Sequence, residues 1–290
     1  MQSSIAVSIG LPVALVIIML GLGLSLKFDD FTRVFTKPKP ILIGLFCQVV
    51  LLPLFCLGLV YVSDLPASIA VGMMLLAASP GGTSATIFTH LARGDVALSL
   101  MLAAVTSLLA LVTIPIIANG SLMLFYGGAN TVYLQISQVL QIFAVAIVPA
   151  LVGAYIRGIY PAVAARLDRP IKMLATVFLA LVVIFALVSQ WSVVMQWAPA
   201  IGATVLIFNV ASLLVGYYAP RLMGVERSQT VAIAMSVSIH NAALVIALAL
   251  SEYMLNNAEM AIPPALYGVI AYVTGGVAVW VLNRGPMRDA

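Results

Sequence analysis

A chain of 290 residues that is 63% hydrophobic and only 8% charged, with a mean hydropathy of +1.18, cannot be a soluble globular domain, which carries roughly 25% charged residues. The bilayer is its solvent. The net charge of +4 does not make it a nucleic-acid binder, because the basic residues are spread over separate loops with no aromatic-rich platform for single strands.

A helix needs roughly 20 apolar residues to span about 30 Å of hydrocarbon. In chain order, apolar runs broken by polar residues, Gly or Pro predict transmembrane helices over 8–26, 40–62, 68–93, 96–118, 134–156, 171–190, 197–218, 228–251 and 262–283. The expected fold is therefore an all-α polytopic membrane protein of about nine helices, with residues 1–290 forming one transmembrane domain. The first run lacks the basic n-region and small-residue cleavage site of a signal peptide and is too long for an h-region, so it reads as a mature helix. The second run holds both cysteines, Cys47 and Cys56. Helical rise separates them by about 13 Å, so they carry no information on redox compartment.

Charge sets the expected orientation. Lys27, Arg33, Lys37 and Lys39 lie in the first connection, Arg93 in the third, Arg157, Arg166, Arg169 and Lys172 in the fifth, Arg221 and Arg227 in the seventh, and Arg284 and Arg288 in the C-terminal tail. The even-numbered connections hold none, whereas Asp64, Glu252 and Glu259 fall in the second and eighth. The positive-inside rule then predicts a multi-pass protein of the inner (plasma) membrane, with its N-terminus outside and its C-terminus in the cytoplasm. An odd number of helices is required, which nine satisfies.

Two spans are interrupted. The third meets Pro80-Gly81-Gly82-Thr83-Ser84-Ala85-Thr86 before it resumes as Ile87 to Arg93. Proline removes an amide donor and clashes with the preceding turn, and the glycines remove the local preference for helix. The eighth carries Met235-Ser236-Val237-Ser238-Ile239-His240-Asn241, which puts two hydroxyls, an imidazole and an amide inside the membrane. Freed backbone and buried polar groups are tolerable in hydrocarbon only where they face protein or a polar cavity. A pair of broken segments in corresponding halves points to an inverted-repeat carrier with its site at the midplane. There, half-helix N-termini can present N–H groups to an anion and C-terminal ends can present carbonyls to a cation. The bland alternatives are a packing kink at Pro-Gly-Gly and hydroxyls bonded to their own helix.

These residues resemble the bile acid:sodium symporter family. Gly21-Leu22-Gly23-Leu24-Ser25-Leu26-Lys27 with Asp30-Phe31, the Pro80-Gly81-Gly82-Thr83-Ser84 stretch running on to Arg93-Gly94-Asp95, and His240-Asn241-Ala242-Ala243-Leu244 carry the likeness. The resemblance implies a panel of helices and a core domain in which two broken helices cross, with sodium behind the crossing and an organic anion in front. It implies substrate contacts at Thr83, Ser84, Asn241, Tyr272 and Thr274, and ion contacts at Gln48, Thr86, Ser99, Ser236, Val237, Ile239 and His240. Tyr267 falls in the same substrate-facing segment. Gln48 and Ser99 match the family pattern. Ala85 and Thr86 replace a Ser-Asn pair, Ala103 a threonine, His240 a glutamine and Ser236 an acidic residue shared between two sodium sites. Without that carboxylate, no fixed charge offsets the dehydration of a hard cation, which prefers oxygen ligands. The carbonyls of Val237 and Ile239 with the hydroxyls of Thr86, Ser99 and Ser236 remain for one weakly held ion.

His240 opens an alternative reading. An imidazole with an unperturbed pKa near 6.5 can exchange a proton near neutrality, which would make the chain a proton-coupled carrier, or a uniporter if the ion sites are lost. Against this, burial disfavours a charged ring and leaves a neutral hydrogen-bonding residue. His90, near a helix end, reads as interfacial, and Met73, Met74, Trp191 and Trp197 as packing or interface-belt residues. The leading expectation is sodium-coupled symport of a small or amphipathic organic anion by alternating access, with no cofactor and the lipid bilayer as the other partner. An arsenite-type efflux carrier lacks a cysteine in either broken helix. A non-transporting membrane sensor is the alternative of another class. An enzyme would need convergent acids, bases or a metal set, and apart from histidine no ionisable acid or base falls well inside a span.

Overall fold

The computed structural model describes residues 38–82, 84–127, 136–189, 191–251 and 254–284, with several positions between 13 and 24. The predicted first span and the site residue Thr83 thus lie wholly or largely outside the described residues. Among the described residues the regular structure is helical, apart from one isolated antiparallel bridge.

Helix α1 runs Pro38–Val62. Its early prolines cost nothing, because the first turn has no amide partners to lose. At Cys47–Leu51 it widens into a π-turn just ahead of Pro53, whose ring has no amide for the regular ladder. The third predicted span is two helices, α2 (Ala67–Ala78) and α3 (Ala85–Leu91), and the eighth is likewise split into α8 (Arg227–Ser238) and α9 (Ala242–Leu250). Between the pairs stand α4 (Val96–Tyr126), α5 (Ile136–Ile159), α6 (Pro161–Ser189) and α7 (Trp191–Leu222). A single 3-10 turn, Glu259–Ala261, leads into α10 (Ile262–Arg284). The carboxylate of Asp95 starts α4 by accepting from the amide of Leu98 at 3.1 Å, an N-cap that satisfies an otherwise orphan donor.

Helices α1, α7 and α10 are each long and apolar enough to cross a bilayer, and α4 qualifies as a bent span. They leave one face open, with Leu42, Ile116, Leu214 and Val273 all exposed, as lipid-facing helices do. Helix α2 behaves differently, since every residue from Ser68 to Ala78 is buried, and α8 is buried from Gln229 to Ser238. A helix apolar all round and buried all round belongs at the centre. The two broken helices are that centre, packed among α1, α4, α7 and α10.

The broken helices enter from opposite ends. At one end Asp95 N donates to Ser228 O at 2.9 Å and Asn283 Nδ2 to Leu91 O at 2.9 Å, which joins the tail of α3, the head of α8 and the tail of α10. At the other, Ser68 Oγ at the head of α2 donates to Glu259 Oε2. Arg93, Arg221, Arg227 and Arg284 collect at the first end, and Asp64 and Glu259 at the second.

Candidate functional site

The site is built where the two breaks cross. The residue before a proline is pushed out of the helical region, and Ser79 accordingly turns extended, at φ −71° and ψ 150°, to end α2. The second break has no proline. It rests on Asn241, whose side-chain Oδ1 accepts from Leu244 N at 3.1 Å and caps α9. The two loops then satisfy one another: Gly82 N donates to Ile239 O at 2.6 Å and Asn241 N to Pro80 O at 2.8 Å, around the Gly81–His240 bridge. Only glycine permits this approach. A Cβ on Gly81 would stand 3.1 Å from Ser236 O, and one on Gly82 would stand 3.1 Å from the carbonyl oxygens of both Ile239 and His240.

Two further freed groups are met by side chains from the surrounding helices. Gly81 N donates to Thr106 Oγ1 at 3.2 Å. Ser238 O, at the end of α8, accepts from Asn209 Nδ2 at 2.9 Å and from the hydroxyl of Tyr267. Asn209 Oδ1 in turn accepts from Thr274. In a bilayer each unmet backbone group costs several kcal/mol, and these contacts remove that cost for the groups they pair.

Among the described residues, two buried side-chain atoms have no hydrogen-bond partner. Gln48, held buried in the π-turn of α1, donates from Nε2 to Ser79 O at 3.3 Å, while its Oε1 has no partner. His240 contacts the same carbonyl through Nδ1 at 3.3 Å and leaves Nε2 without a partner. A carbonyl only accepts, so this contact places the ring proton on Nδ1 and leaves Nε2 of the neutral ring as a bare lone pair. The ring is wedged between Phe208 and Tyr267, each with its centroid 5.5 Å away. A void of about 10 Å³ lined by Gln48, Ser79, Thr106 and Thr113 adjoins the cluster, close to the room one water needs. Two buried, unpartnered acceptors around one carbonyl form a site short of positive charge.

The other predicted ion residues lie in a second cluster. Ser99 Oγ and Ser236 Oγ are 2.9 Å apart, and Thr89 Oγ1 reaches Ser99 Oγ at 3.2 Å, all three fully buried. The hydroxyls are thus bonded to one another. Ile239 gives its carbonyl to Gly82, Val237 is buried inside α8, and Thr86 is half-buried and engaged. Of the predicted substrate residues, Ser84 and Tyr272 come together, with the tyrosine hydroxyl 3.1 Å from Ser84 Oγ and its ring stacked on Phe88. Asn241 is taken up by its capping bond. Thr274 does not join them, because it is bonded to Asn209 between α10 and α7. Tyr267 is fully buried and donates its hydroxyl to Ser238 O inside the crossing.

Ser79, Thr89, Thr106 and Asn209 escaped sequence reasoning. An amide inside an apolar span was the available signal for Asn209; nothing local distinguished the others. His90 is exposed in the last turn of α3, as expected of an interfacial residue.

A buried pair of antiparallel broken helices with polar groups at their crossing, wrapped by helices that expose apolar faces, defines a multi-pass helical membrane protein with an internal site. The chain belongs to the Sodium Bile acid symporter family, whose model matches residues 12–197. Among similar proteins, the uncharacterized sodium-dependent transporter YocS of Bacillus subtilis is 28% identical over 90% of this chain and 79% of its own length. The probable sodium/metabolite cotransporter BASS1 of Arabidopsis thaliana is 25% identical over 96% of this chain and 67% of its own. The human ileal sodium/bile acid cotransporter is 24% identical over 79% of this chain and 66% of its own. The family and these relatives are transporters, not enzymes.

Proposed function

We propose that the chain is a secondary transporter that couples sodium to the movement of an organic anion by alternating access, with sodium behind the crossed breaks and the anion in front. The observation that carries this reading is the unpartnered, buried Oε1 of Gln48 beside the Ser79 carbonyl. A hard cation seeks oxygen lone pairs of this kind. The relatives' names, which specify sodium together with metabolites or bile acids, support the same coupling. The inverted-repeat reading is supported by the matched build of the breaks: α2 and α8 each have 12 residues before the loop and approach from opposite ends. The Arg-rich end is the cytoplasmic one on the positive-inside rule, in the plasma membrane, with nine spans in one domain of panel plus core.

On this reading Gln48 and the carbonyls of Ile239 and Val237 serve one sodium ion, and the bonded hydroxyls of Ser99, Ser236 and Thr89 close the second position. Thr86 stands at the edge of the ion region. Ser84, Asn241 and Tyr272 serve the anion, together with Thr83, whose assignment rests on the family resemblance alone, and Thr274 acts through Asn209. Proton coupling is favoured by a separate observation, the bare Nε2 of His240, and is the second reading. Uptake into proteoliposomes separates the two. A sodium gradient should drive accumulation that potassium or choline does not, in wild type and in His240→Gln. Accumulation driven only by a proton gradient, and lost in His240→Gln, would replace sodium with the proton.

A further inference from the structure

Away from the crossing, α7, α8 and α10 line a cavity of about 830 Å³ that shares only Thr274 with the residues assigned to transport. Its polar lining is Tyr217, Tyr218, Arg221, Arg227, Thr230 and Thr274, and the rest is aliphatic. The charges are not spread through it. Arg221 is in the last turn of α7 and Arg227 opens α8, so both stand at the Arg-rich end. From Arg221 to Val210, which lines the deep part, the helical rise is about 16 Å, against a single-leaflet hydrocarbon depth of about 15 Å. The cavity is one leaflet deep. It opens sideways as well, since Leu214, Tyr218, Val273, Val277 and Val281 on its walls are each about half exposed or more.

Among the described residues no acid is paired with either arginine. Arg221 Nη1 donates to Tyr217 Oη at 2.9 Å and its guanidinium stands 5.8 Å from that ring, while Arg227 Nη2 donates to Leu282 O at 2.8 Å. Glu226, between them in sequence, does not line the cavity. A guanidinium offers five donors, so each retains several for an anion. A transported anion entering from water would meet charge at one end and then a slot open to lipid, a poor route for a polar cargo. An amphiphile with an anionic head and acyl chains fits both the charge and the depth, and basic pockets between helices at the cytoplasmic face hold such head groups.

The geometry points to a binding site for one anionic phospholipid of the leaflet at the Arg-rich end, with its phosphate between Arg221 and Arg227 and an acyl chain along α7 and α10. The site stands whichever ion is coupled, and it rests against α8, one of the two helices that form the crossing.

Native mass spectrometry of the full chain in detergent tests it, with phosphatidylglycerol and phosphatidylcholine of identical chains as probes. The expected result is one adduct favouring phosphatidylglycerol at least tenfold, with the preference falling to within twofold in Arg221→Gln/Arg227→Gln. Val277→Trp, which fills the groove at a lipid-exposed position and leaves both charges, should weaken both lipids. Soluble glycerol phosphate should neither displace the lipid nor raise the melting temperature. An undiminished preference in Arg221→Gln/Arg227→Gln, or undiminished binding of both lipids in Val277→Trp, would overturn the proposal. So would displacement of the lipid by a bile salt at concentrations that saturate transport, since the cavity would then belong to the cargo path.

Discussion

Gly82→Ala tests the crossing directly. The new Cβ would lie 3.1 Å from Ile239 O, 3.1 Å from His240 O and 3.4 Å from the His240 carbonyl carbon. All three are backbone atoms, and the 2.6 Å bond from Gly82 N to Ile239 O holds the strands at that separation. Relief by a few tenths of an ångström must lengthen this bond and strain its neighbour, Asn241 N to Pro80 O. Overpacking costs about 1–3 kcal/mol and a weakened buried hydrogen bond about 1 kcal/mol more, so about 2–4 kcal/mol is expected. Gly202→Ala in α7 is the control, since nothing lies within 4 Å of its added methyl and a helical alanine is favoured by roughly 0.5–1 kcal/mol. Reversible unfolding in mixed micelles gives both values, and sodium-driven uptake shows whether the crossing must be intact. A Gly82→Ala protein within 0.5 kcal/mol of wild type that still transports would refute the account of the breaks as a mutually satisfied pair.

Gln48→Leu removes the unpartnered oxygen together with one donor bond to Ser79; the fold should lose about 1 kcal/mol, and the sodium-induced rise in melting temperature should disappear. Ser236→Asp places a carboxylate among hydroxyls at a fully buried position. An uncompensated buried charge costs about 3–5 kcal/mol, so this variant should melt early in choline and recover in sodium, and equal melting in both salts would show that no cation reaches the cluster. Tyr267→Phe leaves Ser238 O with Asn209 alone and should destabilise by roughly 0.5–1.5 kcal/mol in chemical unfolding, without changing the apparent sodium affinity.

The breaks were legible because their causes are local. Pro80 dictates the extended Ser79, and the polar run at 235–241 has no place in an unbroken membrane helix; the observed breaks at Ser79–Ser84 and Ile239–Asn241 fall inside the predicted spans 68–93 and 228–251. Helix ends were less legible. Hydropathy detects the part of a helix in hydrocarbon, whereas α6 starts at Pro161 and carries Arg166 and Asp168 before the apolar run, and α4 continues to Tyr126. Its 29 residues give α6 about 43 Å of rise, longer than the bilayer core. Gln48 and His240 could be singled out by residue type. Their convergence on Ser79 O, and the division of the ion residues into a Gln48–His240 cluster and a Ser99–Ser236 cluster, depend on contacts 31, 161 and 137 residues apart that no local pattern encodes. Thr274 shows the same limit, since its partner Asn209 lies on another helix.

Among the described residues no Asp or Glu is buried, so a sodium ion bound beside Gln48 would bring an unopposed charge into the membrane. On the proposed reading the anion in front of the crossing is its only counter-charge. Two unit charges roughly 8 Å apart at an effective dielectric of about 20 attract by about 2 kcal/mol, which corresponds to roughly thirtyfold in affinity. The linkage is reciprocal: cargo should tighten sodium by this factor, and sodium should tighten cargo equally. Melting titrations with sodium, with and without carboxylates ranging from a short monocarboxylate to a bile salt, measure it at constant ionic strength. A carboxylate that raises the melting temperature by itself yet leaves the sodium midpoint unchanged would show that the two charges do not meet across the crossing, and the ion would then need a compensating group other than its cargo.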